Sequence, residues 1–142
     1  GSLPLMKEIH IFIDLCATGA KQERNDKINR LIQGVYSIAM FMIESGIPQA
    51  YIWYDKVNGV IQEYSVEQEE ELYWMFQELF RSKTTTEESE LMEAYVDWGK
   101  GRLLESALYL TVADHESLDS GNLVRDRLEV MDLRGDVIED QE

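Results

Sequence analysis

The amino-acid sequence predicts an α/β protein: a three-layer sandwich with a mostly parallel sheet, one antiparallel edge strand and helices on both faces. Apolar strand-like runs occur at residues 9–13 and 107–113, and helical segments lie between them. Two more strand-like runs, 50–54 and 60–64, flank a short loop that contains Asn-Gly, which is typical of an antiparallel hairpin. Alternating strands and helices with one hairpin predict a mixed, Rossmann-like sheet.

The first helix is predicted from its apolar spacing and from its end signals. Residues 21–27 are polar and are interpreted as a loop. Asn25 or Asp26 then supplies an N-cap side chain, and apolar residues follow at helical spacing. Gly46 and Pro48 predict where this helix ends.

Two capping-box patterns predict the starts of two further helices. Ser65 with Gln68 precedes an apolar stripe, and Thr85 with Glu88 precedes another. In each pair the hydroxyl would accept a backbone N–H bond while the acidic or amide side chain bonds back to the cap. We therefore expect the second helix to begin near residue 66 and the third near residue 86.

The C-terminal part of the chain has weaker patterns. Residues 120–126 are predicted as a short helix, and residues 128–133 fit either a last strand or a continued helix. The acidic tail, 135–142, is expected to fray. The length suits one domain over residues 1–142, and a domain truncated or excised from a longer chain is one interpretation of it.

Charge and cysteine content restrict the classes of partner. The chain has 28 acidic and 13 basic residues and a formal net charge of −15, which argues against nucleic acids and anionic membranes as partners. One cysteine excludes an internal disulfide and a multi-cysteine zinc site. No apolar stretch is long enough to insert into a membrane, so we predict a cytoplasmic domain, or one at the cytoplasmic face of a membrane within a longer anchored protein.

One segment has the character of a site. Asp14 ends the first apolar strand and is followed by Leu15-Cys16-Ala17-Thr18-Gly19, and Asp114 ends the later strand. Right-handed crossovers place both strand ends at the same edge of the sheet, where α/β folds bind ligands. The two carboxylates with Thr18 and a threonine of the 84–86 loop, such as Thr85, form a possible Mg²⁺ ligand set.

The pattern resembles the von Willebrand factor type A (vWA) family, whose metal-ion-dependent adhesion site has the motif D-x-S-x-S. Asp14-Leu15-Cys16-Ala17-Thr18 stands at that motif, with Thr85 as the loop threonine and Asp114 as the second aspartate. A more specific likeness is to the vWA-like C-terminal domain of a bacterial family of unknown function found beside MoxR-type ATPases. The resemblance implies a non-enzymatic protein-interaction module in which a partner's carboxylate completes the coordination of the metal.

The sequence departs from the family at Cys16, which stands in place of a coordinating serine. A thiol is a poor ligand for a hard cation, so the resemblance implies a degenerate site that binds Mg²⁺ weakly or not at all. The simplest alternative for Asp14 and Asp114 is structural: each accepts backbone N–H bonds or caps a helix.

Two other functions stay open. The segment at Asp14 is also similar to the D-x-D-x-T motif of haloacid-dehalogenase-type phosphatases, with Asp14 as nucleophile, although Cys16 then replaces the general acid. The third hypothesis is a metal-free acidic scaffold that binds partners through the hairpin edge, where Trp53 or Tyr54 would face outward, or through the acidic helix face.

Overall fold

A computed structural model describes residues 8–100, 102–116, 118 and 123–135 of the chain. The described residues form five strands and three helices. In chain order these are β1 (Ile9–Ile13), α1 (Lys21–Glu44), β2 (Gln49–Asp55), β3 (Val60–Val66), α2 (Glu69–Leu79), α3 (Leu91–Gly99), β4 (Leu104–Thr111) and β5 (Val124–Asp132).

The strands form a single mixed sheet in the order β3-β2-β1-β4-β5. β1 is parallel to both β2 and β4, and β4 is parallel to β5. β2 and β3 form the expected antiparallel hairpin, and β3 is the antiparallel edge strand. The predicted fold class is therefore confirmed, and the ends of β1 and β4 lie side by side.

Helices cover both faces of the sheet and create two apolar cores. Successive side chains of β1 point alternately into the two cores. Ile11 and Ile13 pack in the core under α1 and α2, whereas Phe12 packs in the core under α3. Because side chains alternate along a strand, the residue two positions after Phe12 is directed to the α3 face. That residue is Asp14.

The prediction that Trp53 or Tyr54 faces outward was wrong, because it assumed that their strand lies at an edge of the sheet. β2 is an inner strand between β1 and β3, so α2 covers one of its faces and α3 the other. Trp53 is fully buried, and its indole N–H donates to Ser82 Oγ at 2.9 Å. Its ring stacks on Tyr64 with a centroid distance of 5.3 Å.

Helix α1 begins earlier than predicted. Its first residue is Lys21, and the N-cap position is occupied by Ala20, whose side chain makes no capping bond. Gly19, with φ of +106°, turns the chain directly into the helix, so the polar residues 21–27 form its first turns instead of a loop. The predicted N-cap role of Asn25 or Asp26 is therefore wrong.

Helix α2 begins three residues later than predicted. Ser65 belongs to β3, and its hydroxyl donates to Glu8 Oε2 at 2.9 Å instead of capping a helix. The acceptor at the helix start is Glu71 Oε1, which receives the backbone N–H groups of Glu67 at 2.8 Å and Gln68 at 3.1 Å. Ser65 therefore pairs within the hairpin and is not the N-cap residue that the local pattern predicted.

Helix α3 also begins later than its capping-box pattern indicates. Its first residue is Leu91, with Glu90 at the N-cap position. Thr85 forms an isolated parallel bridge with Cys16 and does not cap the helix. The loop that precedes α3 is thereby attached to the loop that follows β1.

The last described strand settles an open choice. Residues 128–133 fit either a strand or a helix, and the structure has β5 from Val124 to Asp132. The predicted helix over 120–126 was therefore wrong from Val124 onward, and its residues 120–122 lie outside the described residues. The tail 136–142 also lies outside them. Within the described ranges, none of the helices is both long enough and apolar enough to cross a membrane.

Candidate functional site

Asp14 lies directly after β1 at the carboxyl edge of the sheet. Its backbone N–H donates to Leu110 O of β4 at 2.9 Å, which continues the parallel ladder by one residue. Its side chain is directed to the α3 face and is only 3% exposed. A carboxylate this deeply buried requires compensating partners.

Hydroxyl groups occupy both oxygens of the Asp14 carboxylate. Ser89 Oγ donates to Oδ1 at 2.7 Å, and Thr111 Oγ1 donates to Oδ2 at 3.0 Å. The Tyr109 hydroxyl lies 3.2 Å from Ser89 Oγ. Burial raises the pKa of Asp14 above its ordinary value, and the hydrogen bonds from Ser89, Thr111 and Tyr109 oppose that rise.

Backbone groups hold these hydroxyls in turn. Thr111 Oγ1 accepts the N–H of Ala113 at 3.0 Å, and Ser89 Oγ accepts that of Leu91 at 3.4 Å. The hydroxyls therefore both donate to the carboxylate and accept from the chain. This network joins the end of β1, the end of β4 and the start of α3.

A pocket of about 740 Å³ opens above this network. Six of its lining residues are acidic, and among the described lining residues there is no Lys or Arg. The six are Asp14, Glu87, Glu88, Glu90, Glu93 and Asp114. One of them, Glu90, forms an ion pair with Lys56. The pocket therefore has a strongly negative potential and favours cationic ligands.

Four of the five residues predicted for the site line this pocket. Asp14, Cys16, Thr18 and Asp114 lie together at the carboxyl edge, with both aspartates in the lining of one pocket. Asp114 is exposed, and its Oδ1 accepts the backbone N–H of Glu116 at 3.1 Å.

Thr85, the fifth predicted residue, is not among the lining residues. It is buried, and its hydroxyl donates to Leu15 O at 3.3 Å. Its backbone N–H donates to the same oxygen at 2.7 Å, and its carbonyl accepts from Ala17 N at 3.0 Å. In this arrangement Thr85 connects two loops.

Cys16 is almost fully buried at the edge of the pocket. Burial raises the pKa of its thiol, and the nearby carboxylates of Asp14 and Glu88 raise it further, against a hydrogen bond with Thr85 that lowers it. The thiol therefore stays protonated near neutral pH. A neutral thiol is neither a metal ligand nor an effective nucleophile.

The donor set does not fit a Mg²⁺ ion in this arrangement. Cys16 supplies a neutral thiol, and the Thr85 hydroxyl donates to a backbone carbonyl and does not line the pocket. Nor does the described part of the chain contain a group of three or more His, Cys, Asp or Glu side chains arranged to hold a metal. We therefore derive no chemistry through a metal ion.

The pocket does not favour the phosphatase hypothesis either. A phosphate ester is anionic and would face six acidic side chains, with no Lys or Arg among the described lining residues to bind it. Each Asp14 oxygen also accepts a hydrogen bond from a hydroxyl group, which lowers the nucleophilicity of the carboxylate.

Three residues of the network were not predicted: Ser89, Tyr109 and Thr111. The position of Thr111 could have been found from the strand register, because Ile13 pairs with Leu110 and the next residues along, Asp14 and Thr111, then stand side by side. Ser89 has no comparable signal, because the path of the loop before α3 determines where it lies.

No family model matches this sequence, and comparison with curated proteins and with solved structures gave no significant match. The resemblance to the vWA family therefore stays a hypothesis, and functional inference depends on the site itself.

Proposed function

We propose that this domain is a non-enzymatic protein-interaction module that binds a basic side chain of its partner in the acidic pocket. The observation that carries the proposal is Asp14, a buried carboxylate whose bonding partners among the described residues are neutral hydroxyls. These hydroxyls satisfy its oxygens but leave its negative charge uncompensated. A Lys or Arg side chain from a partner would supply the missing positive charge.

The size and charge of the pocket support this proposal. Its volume of about 740 Å³ is enough for one long basic side chain together with the adjoining backbone of the partner. Opposite charges about 4 Å apart attract by roughly 4 kcal/mol at an effective dielectric constant of about 20. Several carboxylates around one guanidinium or ammonium group would share this attraction, and the bound cation would displace water from the pocket.

The closed network around Asp14 is the reason for proposing binding in preference to catalysis. Each Asp14 oxygen accepts a hydrogen bond from a neutral hydroxyl group, which disperses the negative charge that a nucleophile or general base would use. In the proposal, Asp14 contributes a fixed negative field at the base of the pocket. The exposed glutamates at the rim, Glu88 and Glu93, make the direct contacts.

The proposal is tested by NMR titration of the ¹⁵N-labelled protein with two capped tripeptides, Gly-Arg-Gly and Gly-Glu-Gly, at low salt. We expect the arginine peptide to shift amides of the pocket loops, and the glutamate peptide to leave them unchanged. Glu93→Gln should weaken binding about threefold, as expected for one exposed charge. Asp97→Asn is the matched control, because Asp97 is an exposed acid on the same helix but does not line the pocket.

Four results would contradict the proposal. If the arginine peptide causes no amide shifts, the pocket does not bind the cation. The same conclusion follows if Glu93→Gln and Asp97→Asn weaken binding of the arginine peptide equally. If the glutamate peptide binds once Mn²⁺ is added, and both the Mn²⁺ binding and the peptide binding disappear in Asp14→Asn, the site is a working metal-dependent adhesion site. Hydrolysis of p-nitrophenyl phosphate that disappears in Asp14→Asn would support the phosphatase hypothesis.

A further inference from the structure

The opposite face of the molecule has a second surface feature, an apolar groove between α1 and α2. Its volume is about 730 Å³. The side chains that line it come from one face of each helix. They include Tyr36 and Met40 of α1, Glu69, Tyr73 and Phe76 of α2, and Phe80 directly after α2. This groove shares no lining residue with the acidic pocket.

Aromatic side chains dominate the groove. Tyr36 of α1 lies beside Phe76 of α2 with a ring-centroid distance of 6.4 Å, and Phe76 stacks on Phe80 at 5.5 Å. The outer rings are largely exposed, with Tyr36 at 54%, Tyr73 at 62% and Phe80 at 64%. Single exposed apolar residues are common on protein surfaces, but a contiguous aromatic patch of this kind is typical of an interaction site.

The charged side chain among the lining residues of the groove is acidic, Glu69. Residues 31–44 of α1 and 69–79 of α2 contain five glutamates and no Lys or Arg. The glutamates are Glu44, Glu69, Glu70, Glu71 and Glu78. The neighbouring basic residues in the sequence are Arg30, one position before this stretch of α1, and Arg81, which is paired with Glu78. An occupant of the groove must therefore present an apolar face with basic residues beside it.

We propose that this groove binds an amphipathic helix of a partner protein, with apolar anchors flanked by Lys or Arg. Two neighbouring helices with an apolar furrow between them accept a third helix, whose anchors at i, i+4 and i+7 fill the furrow. The aromatic rings provide the apolar contact, and the glutamates provide attraction to the basic residues of that helix.

The charge also argues against two occupants from this chain itself. A second copy would bring another −15 of net charge and another acidic rim into contact with the first. Residues 136–142 contain four acidic residues and no basic one, so this segment has the same sign as the rim. A basic helix is the occupant whose charge complements the groove.

The test uses a capped peptide of about 15 residues, long enough to form a helix on binding. It has leucines at i, i+4, i+7 and i+11 and lysines at the positions that flank this apolar stripe. Calorimetry should detect binding that weakens about tenfold in both Tyr36→Ala and Phe80→Ala, as expected for central aromatic contacts. Phe41→Ala is the matched control, because Phe41 is 62% exposed on the same helix but does not line the groove.

Peptide controls separate the groove from general charge attraction. A scrambled peptide of the same composition should bind at least about fivefold more weakly, and a version with glutamates in place of the lysines should not bind. Glu69→Gln should weaken binding of the lysine peptide without changing the fold. Glu93→Gln should leave it unchanged, so this proposal and the one for the acidic pocket succeed or fail separately.

The proposal is overturned by any of three results: no binding of the lysine peptide, equal binding of the scrambled peptide, or equal loss in Phe41→Ala. Sedimentation equilibrium tests whether a second copy of this chain occupies the groove. A wild-type dimer that Phe80→Ala converts to a monomer would assign the groove to a second copy of this chain and also overturn the proposal.

Discussion

At the scale of single residues, the environment of Asp14 is the most informative feature. Neutral hydroxyl donors satisfy both of its oxygens, but they cannot cancel its charge. Burial without a cation therefore raises the pKa of this carboxyl group, whereas an ion pair would have lowered it. The protein retains a costly group at the base of an acidic pocket, which is typical of a functional site.

The raised pKa of Asp14 gives a prediction with a defined sign. The folded state holds this proton more tightly than the unfolded state, so the wild-type free energy of unfolding should fall as pH rises from the unfolded pKa, about 3.9, through the folded value. Asp14→Asn keeps the shape and removes the charge. We expect the stability of the variant relative to wild type to increase with pH over this window.

Urea denaturation of both proteins at a series of pH values measures this difference. Asp14→Ala is the control for size and hydrogen bonding, because it leaves the hydroxyls of Ser89 and Thr111 without their acceptor and should cost about 1–3 kcal/mol. If the difference in the free energy of unfolding between wild type and Asp14→Asn does not change with pH, burial of the Asp14 charge does not destabilise the folded protein as predicted.

The sequence predicted the two aspartates of this site better than their partners. Asp14 and Asp114 follow apolar strands, and strand ends can be recognised from local patterns. Ser89 and Thr111 contribute through strand register and loop path, which depend on residues far along the chain. Local patterns cannot show which hydroxyl will stand beside a given carboxylate.

At the scale of elements, the sequence predicted the three helices but placed all their starts wrongly. Both capping-box patterns began with a hydroxyl residue that tertiary pairing used elsewhere. Ser65 pairs with Ala50 in the hairpin, and Thr85 bridges to Cys16. A backbone bond network across strands competes with a single cap worth about 1 kcal/mol, and here the strand bonds prevail.

The end of α1, by contrast, follows the sequence signal. The N–H of Gly46 donates to Ile43 O at 3.1 Å and that of Ile47 to Met42 O at 2.9 Å, which together form a Schellman motif. Gly46 has φ of +68°, a conformation that an L side chain disfavours. Gly46→Ala should therefore lower the free energy of unfolding by about 1 kcal/mol.

Ser45→Ala is the matched control for this prediction. Ser45 is the neighbouring residue and has φ of −90°, so alanine fits there without strain. Its effect should stay within about 0.5 kcal/mol in the same urea titration. Equal stability of Gly46→Ala and Ser45→Ala would mean that the positive φ does not contribute to the stability of the helix end.

At the scale of the whole molecule, hydrophobic periodicity and turn chemistry were enough to predict the layers and the antiparallel edge. The Asn58-Gly59 loop determined the direction of β3, and the apolar runs determined which strands are covered on both faces. Residues 128–133 stayed ambiguous because a short apolar run fits either element until its partner strand is known. That partner is β4, which pairs with β5 in parallel.

The net charge of −15 supports a prediction about the whole chain. Acidic residues outnumber basic ones by 28 to 13, so like-charge repulsion in the folded state should exceed the attraction of the surface ion pairs. Raising the salt concentration from about 0.01 M to 0.15 M shortens the Debye length from about 30 Å to about 8 Å. The free energy of unfolding should rise by an amount on the order of 1 kcal/mol, because screening removes repulsion that folding concentrates.

Urea titrations in NaCl and in KCl at equal ionic strength distinguish screening from specific ion binding. Screening requires the same rise in both salts, with an unchanged dependence of stability on urea concentration. A fall in stability with salt would contradict the prediction. It would mean that pairs such as Arg102 with Glu63, whose charged atoms are 2.7 Å apart, outweigh the repulsion. The negative field proposed to attract basic partners to both surfaces would then be weaker than the net charge suggests.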